Sequence, residues 1–211
     1  RMYAGRMMQG SPTSAITVRA STMSWATPLG GTFRPISIIA RNVGVVLCGV
    51  NPPWKTITDL LEDAKKNPDQ LKMGSTGPGG LPHVTAAMFK AINGVSFNQI
   101  VFQGEGPGIT AMLGGHVQWT TVGLAAGREH IRAGRVRALA LVADEPVAGL
   151  ETVPLITSAS ADYKKFLPWG PFYGVWVKKD LPDAVKKTLV EAYDKGLKEP
   201  KAQEFIQNEI G

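Results

Sequence analysis

Between Leu71 and Phe89 the chain reads LKMGSTGPGGLPHVTAAMF. A short apolar strand enters a run of small residues, Gly74-Ser75-Thr76-Gly77-Pro78-Gly79-Gly80, and a helix begins at Leu81 or Pro82. Glycines in a strand-to-helix turn let a ligand come close to the backbone. The free N–H groups of the helix N-terminus then point at that ligand and favour an anion. Pro82 suits the first turn, where its missing N–H costs nothing. The hydroxyls of Ser75 and Thr76 add donors to the same loop. The chemistry on offer is capture of a small anion. A plain helix start with turn glycines is the competing reading.

A second turn of the same kind follows. Phe102-Gln103-Gly104-Glu105-Gly106-Pro107-Gly108 joins a strand over 97–102 to a helix that runs through Leu113. Other chemistries find less support. Ser75 does not sit in a G-x-S-x-G nucleophile elbow. Neither turn fits the G-x-x-x-x-G-K-[ST] phosphate loop, and no lysine follows Gly79-Gly80. His83, one turn into the helix, either reaches the site or packs within the domain, and packing is preferred. His116 and His130 have no partner at metal-binding spacing. Trp25 and Trp119 either floor an aromatic cleft or pack in the core, the commoner use of tryptophan. No catalytic residue, metal or cofactor is assigned.

The elements that hold these turns follow from the apolar pattern. Ile36–Ala40 and Val43–Val50 read as buried strands. Thr56 or Thr58 caps a helix through about Lys66, which Asn67-Pro68 ends. The strand at 71–73, the first glycine turn and a helix from Pro82 to Ile92 come next, with Asn93-Gly94 as the stop. After the second turn come a strand at 117–122, a helix over 124–133 and a strand at 136–142. Strand and helix alternate with short connections, which gives an α/β fold on a mostly parallel sheet. Ligands of such sheets bind at the carboxyl ends of the strands, so both glycine turns fall on one edge. Residues 169–178 read as an apolar crossing or strand. Pro182 opens an amphipathic helix with Val185, Leu189 and Ala192 on one face, and Glu199-Pro200 begins the last helix.

The 211 residues suffice for one large domain or two small lobes. Charged residues make up 19% and hydrophobic ones 44%, a globular balance. The net charge of +6 could serve nucleic acid or small anions. The cations are scattered, as at Lys186, Lys187 and Lys198, so no nucleic-acid partner is expected. Cys48 is the only cysteine, so no disulfide framework forms, and its apolar neighbours mark a buried thiol. No apolar run has the length of a membrane span, and no signal peptide is present in this chain.

The chain resembles the periplasmic receptors of tripartite tricarboxylate transporters, the Bug receptors, along nearly its whole length. Pro53-Trp54-Lys55 and Ala64-Lys65-Lys66-Asn67-Pro68 through His83 are similar to the family pattern AK.NP..L..GS.G.G...H. Residues 100–107 resemble VPYKG.GP, residues 112–118 LLGG.VD, and residues 131–141 I.AGK.RALAV, while Trp169–Pro182 matches more loosely. The resemblance implies a two-lobed "Venus flytrap" of the type II periplasmic class, with residues 1–50 and 169–211 in lobe 1 and 51–168 in lobe 2. It implies crossings near 45–50 and 169–173, and a first lobe lacking its N-terminal part in this chain. It implies a non-enzymatic, periplasmic receptor that captures a small organic carboxylate (di-, tri- or aromatic) between its lobes for membrane permease subunits. An α/β enzyme acting on an anion, or a ligand-presenting co-receptor for a sensor, are the alternatives. The implied ligand-binding set is Ser11, Thr13, Ser75, Thr76, Gly77, Gly79, Phe102, Gln103 and Gly104. Two departures stand out. The family's Tyr-Lys is Phe102-Gln103 here, and its acidic residue after the paired glycines is Gln118. The missing acid is taken to weigh against an amino-acid ligand.

Overall fold

The computed structural model describes residues 32–167 and 169–206. Ser11, Thr13 and Trp25 lie outside the described residues. Close contacts divide the chain into two units, one holding residues 32–42 and 172–206, the other holding 43–171.

In the first unit β1 (Phe33–Arg41) pairs antiparallel with β7 (Phe172–Lys178). Helices α5 (Asp183–Gly196) and α6 (Pro200–Phe205) follow. Ala40, Leu197 and Ile206 form a small buried cluster here. The expected apolar face of α5 contributes no buried residue, and Val185 is 46% exposed.

The second unit is built on five strands in the order β4-β3-β5-β2-β6. They are β2 (Gly44–Cys48), β3 (Lys72–Ser75), β4 (Asn98–Val101), β5 (Trp119–Gly123) and β6 (Arg137–Val142). Helices α1 (Ile57–Lys66), α2 (Leu81–Asn93), α3 (Glu105–Leu113) and α4 (Leu124–Arg132) connect them in turn. Beyond β3 each strand is reached through a helix, and β3 runs parallel to both β4 and β5. The sheet departs from the parallel expectation at β2, which runs antiparallel to β5 and β6. All of β2 is buried. Val46 and Cys48 face the cluster with α1 and α2, while Val45 and Leu47 face the cluster with α3 and α4. A strand covered on both faces reads as a continuous apolar run, so its direction leaves no mark on its composition. Because β2 bonds to strands on both sides, the division falls after Asn42, and 43–50 groups with the second unit and not with the first.

Local signals place the helices. Thr56 caps α1: its hydroxyl accepts from the Asp59 N–H at 3.2 Å, and the Asp59 carboxylate accepts from the Thr56 N–H at 2.8 Å. Backbone N–H groups of Lys55 and Thr56 hold the Asp59 carboxyl below its ordinary value. A depressed carboxyl stabilises the fold above the aspartate range, and that contribution is lost as pH falls through the folded value. Thr56→Ala should therefore cost about 1 kcal/mol in urea unfolding at neutral pH. In Asp59→Asn the decline of stability on acidification should be shallower than in the parent. α2 ends at Gly94, whose φ of 70° is the left-handed stop expected of Asn93-Gly94. Burial pushes the Cys48 thiol up to about 11 against the opposing charge of Arg137, so it is a protonated structural thiol at neutral pH.

Candidate functional site

Strands β3, β4 and β5 end on one edge of the sheet, and a helix starts from each of them. Gly44, the first residue of β2, pairs with Gly123 at the same edge. Three helix N-termini thus converge there, and each brings N–H groups that its own helix cannot satisfy.

Two of the three carry compensation from within the unit, α4 through two hydrogen bonds and α3 through the charge of its own first residue. At α4 the Leu124 N–H donates to the Val43 carbonyl at 2.8 Å, and the Gly123 N–H donates to Glu105 Oε1 at 3.0 Å. Glu105 is itself the first residue of α3, where a carboxylate offsets the positive end of the helix dipole. The start of α2 has no such partner: its first turn carries no acidic residue, and its N-cap, Gly80, makes no side-chain cap bond.

The loop before α2 is held by its own hydrogen bonds. Ser75 is the buried last residue of β3, and its Oγ accepts from the Gly77 N–H at 3.3 Å. The Gly80 N–H donates to the Gly77 carbonyl at 3.1 Å, and the Gly79 N–H donates to His83 Nδ1 at 3.2 Å. Gly77 and Gly79 have φ of 94° and 79°, a backbone region that side chains rarely tolerate. A Cβ at Gly80 would overlap Thr76 Oγ1 and lie 3.2 Å from the Gly77 oxygen. The Thr76 side chain is therefore folded against the N-cap. The donors left to face outward are the N–H groups of Leu81 and His83, with the Thr76 hydroxyl beside them.

Among the candidate residues, Ser75, Thr76, Gly77 and Gly79 come together in this one loop. The N–H groups of Gly77 and Gly79 are engaged inside it, so these glycines shape the loop while the helix supplies the donors. The free N–H groups that the sequence places at this helix start are those of Leu81 and His83, two residues outside the expected ligand-binding set. Pro82, which has no N–H, stands between them. The His83 ring accepts from Gly79 within the unit, in line with the preferred packing reading. Accepting at Nδ1 puts the ring proton of the neutral imidazole on Nε2, a further donor.

The second turn is tied to the first, since the Phe102 N–H donates to the Ser75 carbonyl at 2.8 Å. The Phe102 ring lies near Gly74 and Gly108 and packs against the α3–α4 cluster. Gln103 is exposed, and Gly104 caps α3 with φ of 114°. Trp119 is fully buried and packs against Phe89 and Phe97. Gln118 does not lie at this edge. It precedes β5 and accepts the Lys72 N–H at 2.7 Å, where β3 begins. That is the opposite edge of the sheet, so the residue type at 118 does not bear on a ligand held at the Ser75–His83 edge. Among the described residues no group of three His, Cys, Asp or Glu side chains is placed to hold a metal.

The family model for the "Tripartite tricarboxylate transporter family receptor" matches residues 13–210. The chain belongs to this receptor family. Protein BugT of Bordetella pertussis is 30% identical over 173 residues, which is 75% of this chain and 52% of that protein. Among solved structures, periplasmic binding protein BugD is 27% identical with a TM-score of 0.74, over 84% of this chain and 59% of that one. MatC from Rhodopseudomonas palustris, solved with bound malate, has the same TM-score at 18% identity and covers 84% of this chain and 60% of its own. The chain spans about half the length of the curated relatives it matches. Its fold is the mixed α/β fold of these two-lobed periplasmic receptors. The described residues contain no helix long and apolar enough to cross a membrane.

Proposed function

We propose that this chain is the carboxylate-binding part of an extracytoplasmic receptor, which captures a small organic acid and hands it to membrane permease subunits. The observation that carries the reading is the N-terminus of α2, where the Leu81 and His83 N–H groups have no partner among the described residues and no acidic residue offsets the helix dipole, beside a loop of small residues. A carboxylate there would accept from the N–H groups of Leu81 and His83, with Thr76 Oγ and His83 Nε2 as further donors. Bonds from N–H to an ionised oxygen are the strong kind, and they need no salt bridge in a site shielded from water. No lysine or arginine occurs between Gly74 and Phe89, so selectivity would come from the shape of the loop and the spacing of donors. The net charge of +6 would raise the local concentration of anions. The malate bound to MatC supports a carboxylate as the class of ligand.

A receptor releases its ligand unchanged. A thermal-shift screen against mono-, di- and tricarboxylates and matched amines should raise the melting temperature with carboxylates alone, because a ligand of the folded state stabilises it. Mass analysis after incubation should return each acid intact. Stabilisation by amines alone, or conversion of an acid to product by pure protein, would overturn the reading.

A further inference from the structure

A cavity opens at the other edge of the five-stranded sheet, where β2 ends and β3 and β5 begin. Its volume is about 370 Å³, within the range of small-molecule pockets. Leu71, Met112 and Val117 line it as buried apolar residues, and Val50 and Leu113 stand at it 53% and 40% exposed. A largely apolar lining with a few polar groups is the usual make-up of a small-molecule site.

The wall is fixed by polar contacts of its own. Arg137 Nη1 donates to the carbonyls of Trp54 at 2.5 Å and Pro52 at 3.4 Å, which pins the Pro52–Trp54 segment. The Trp54 indole N–H donates to Asp63 Oδ2 at 2.8 Å, and Asn67 Nδ2 donates to Asp63 Oδ1 at 2.7 Å. Both oxygens of Asp63 are thus engaged, although its carboxylate lines the cavity. Two donors remain open. Gln118 spends its Oε1 on the Lys72 N–H, which leaves its NH₂ group. Arg135 lines the cavity with an exposed guanidinium that forms no ion pair among the described residues.

We infer that this cavity is a second ligand site, separate from the Ser75–His83 loop, for a small monocarboxylate with an apolar body. The apolar part covers Val50, Leu113 and the buried lining, and the carboxylate meets Arg135 and the Gln118 amide. Lys72–Ser75 runs between the two edges, so both sites can be read in one experiment.

The test is a titration of the ¹⁵N-labelled full chain with hexanoate, with hexylammonium as the charge-reversed control. Hexanoate should shift the amide signals of Gly49, Gly115 and Gln118, and hexylammonium should leave them in place. Arg135→Gln, an exposed change that leaves the core untouched, should weaken hexanoate at these signals by about fivefold, the scale of one exposed charge pair. The proposal is overturned if hexanoate shifts only Gly79, Leu81 and His83, or shifts nothing. It is equally overturned if hexylammonium binds as well, or if Arg135→Gln binds like the parent. Shifts confined to the 79–83 amides would leave the reading of the first site intact.

Discussion

Gly80→Val should weaken carboxylate binding roughly a hundredfold in a chain that still folds. The backbone at Gly80 is extended, with φ of −66° and ψ of 160°, so valine meets no conformational penalty there. The obstacle is steric, since its Cβ would overlap Thr76 Oγ1 and press on the Gly77 carbonyl. Thr76 would have to leave the N-cap, and the turn that aims the Leu81 and His83 N–H groups would move with it. Losing one or two charge-assisted hydrogen bonds amounts to about 3 kcal/mol, or roughly a hundredfold in affinity. Overpacking at this half-buried turn should cost about 1–2 kcal/mol of stability. Calorimetric titration with the best acid from the screen, beside a urea curve, separates the two effects. Unchanged affinity in folded Gly80→Val would remove the α2 N-terminus from the site.

Gly79→Ala is the informative contrast. Nothing lies within 4 Å of a Cβ at Gly79, and the cost comes only from its positive φ. Its effect should fall on stability, at about 1–2 kcal/mol, more than on the donors.

Phe89→Ala should be among the most destabilising single changes in the second unit. Phe89 is fully buried on α2, with ring centroids 6.1 Å from Phe97, 5.6 Å from Trp119 and 6.0 Å from Tyr163. Removing the ring leaves a cavity under three aromatic neighbours, worth about 3–5 kcal/mol. The same packing seats α2, so affinity for the carboxylate should fall as well. Tyr163→Phe is the milder companion. It removes only the hydroxyl that donates to Asn93 Oδ1 and should cost about 1 kcal/mol. Urea unfolding followed by tryptophan emission reads both. A loss under 1 kcal/mol for Phe89→Ala would mean that the cluster relaxes to fill the space.

The amino-acid order by itself determined the alternation of elements in residues 43–142, the two glycine turns and their common edge. It did so because apolar periodicity, Thr56 and Asn93-Gly94 are local instructions that act within a few residues of the chain. The collinear motifs also carried the family. The antiparallel course of β2 was decided only in the tertiary structure, since a strand buried on both faces carries the same apolar run in either direction. The division after Asn42 follows from that pairing. The choice among the three helix starts was likewise tertiary. Glu105 and Val43 reach α4 across 18 and 81 residues of chain, and no local pattern announces that contact. Gln118 is the plainest case: its place in a family motif suggested the ligand edge, while its hydrogen bond to Lys72 sets it on the other. Sequence spacing says which residues are neighbours along a strand, and only the sheet says at which edge each end of that strand lies.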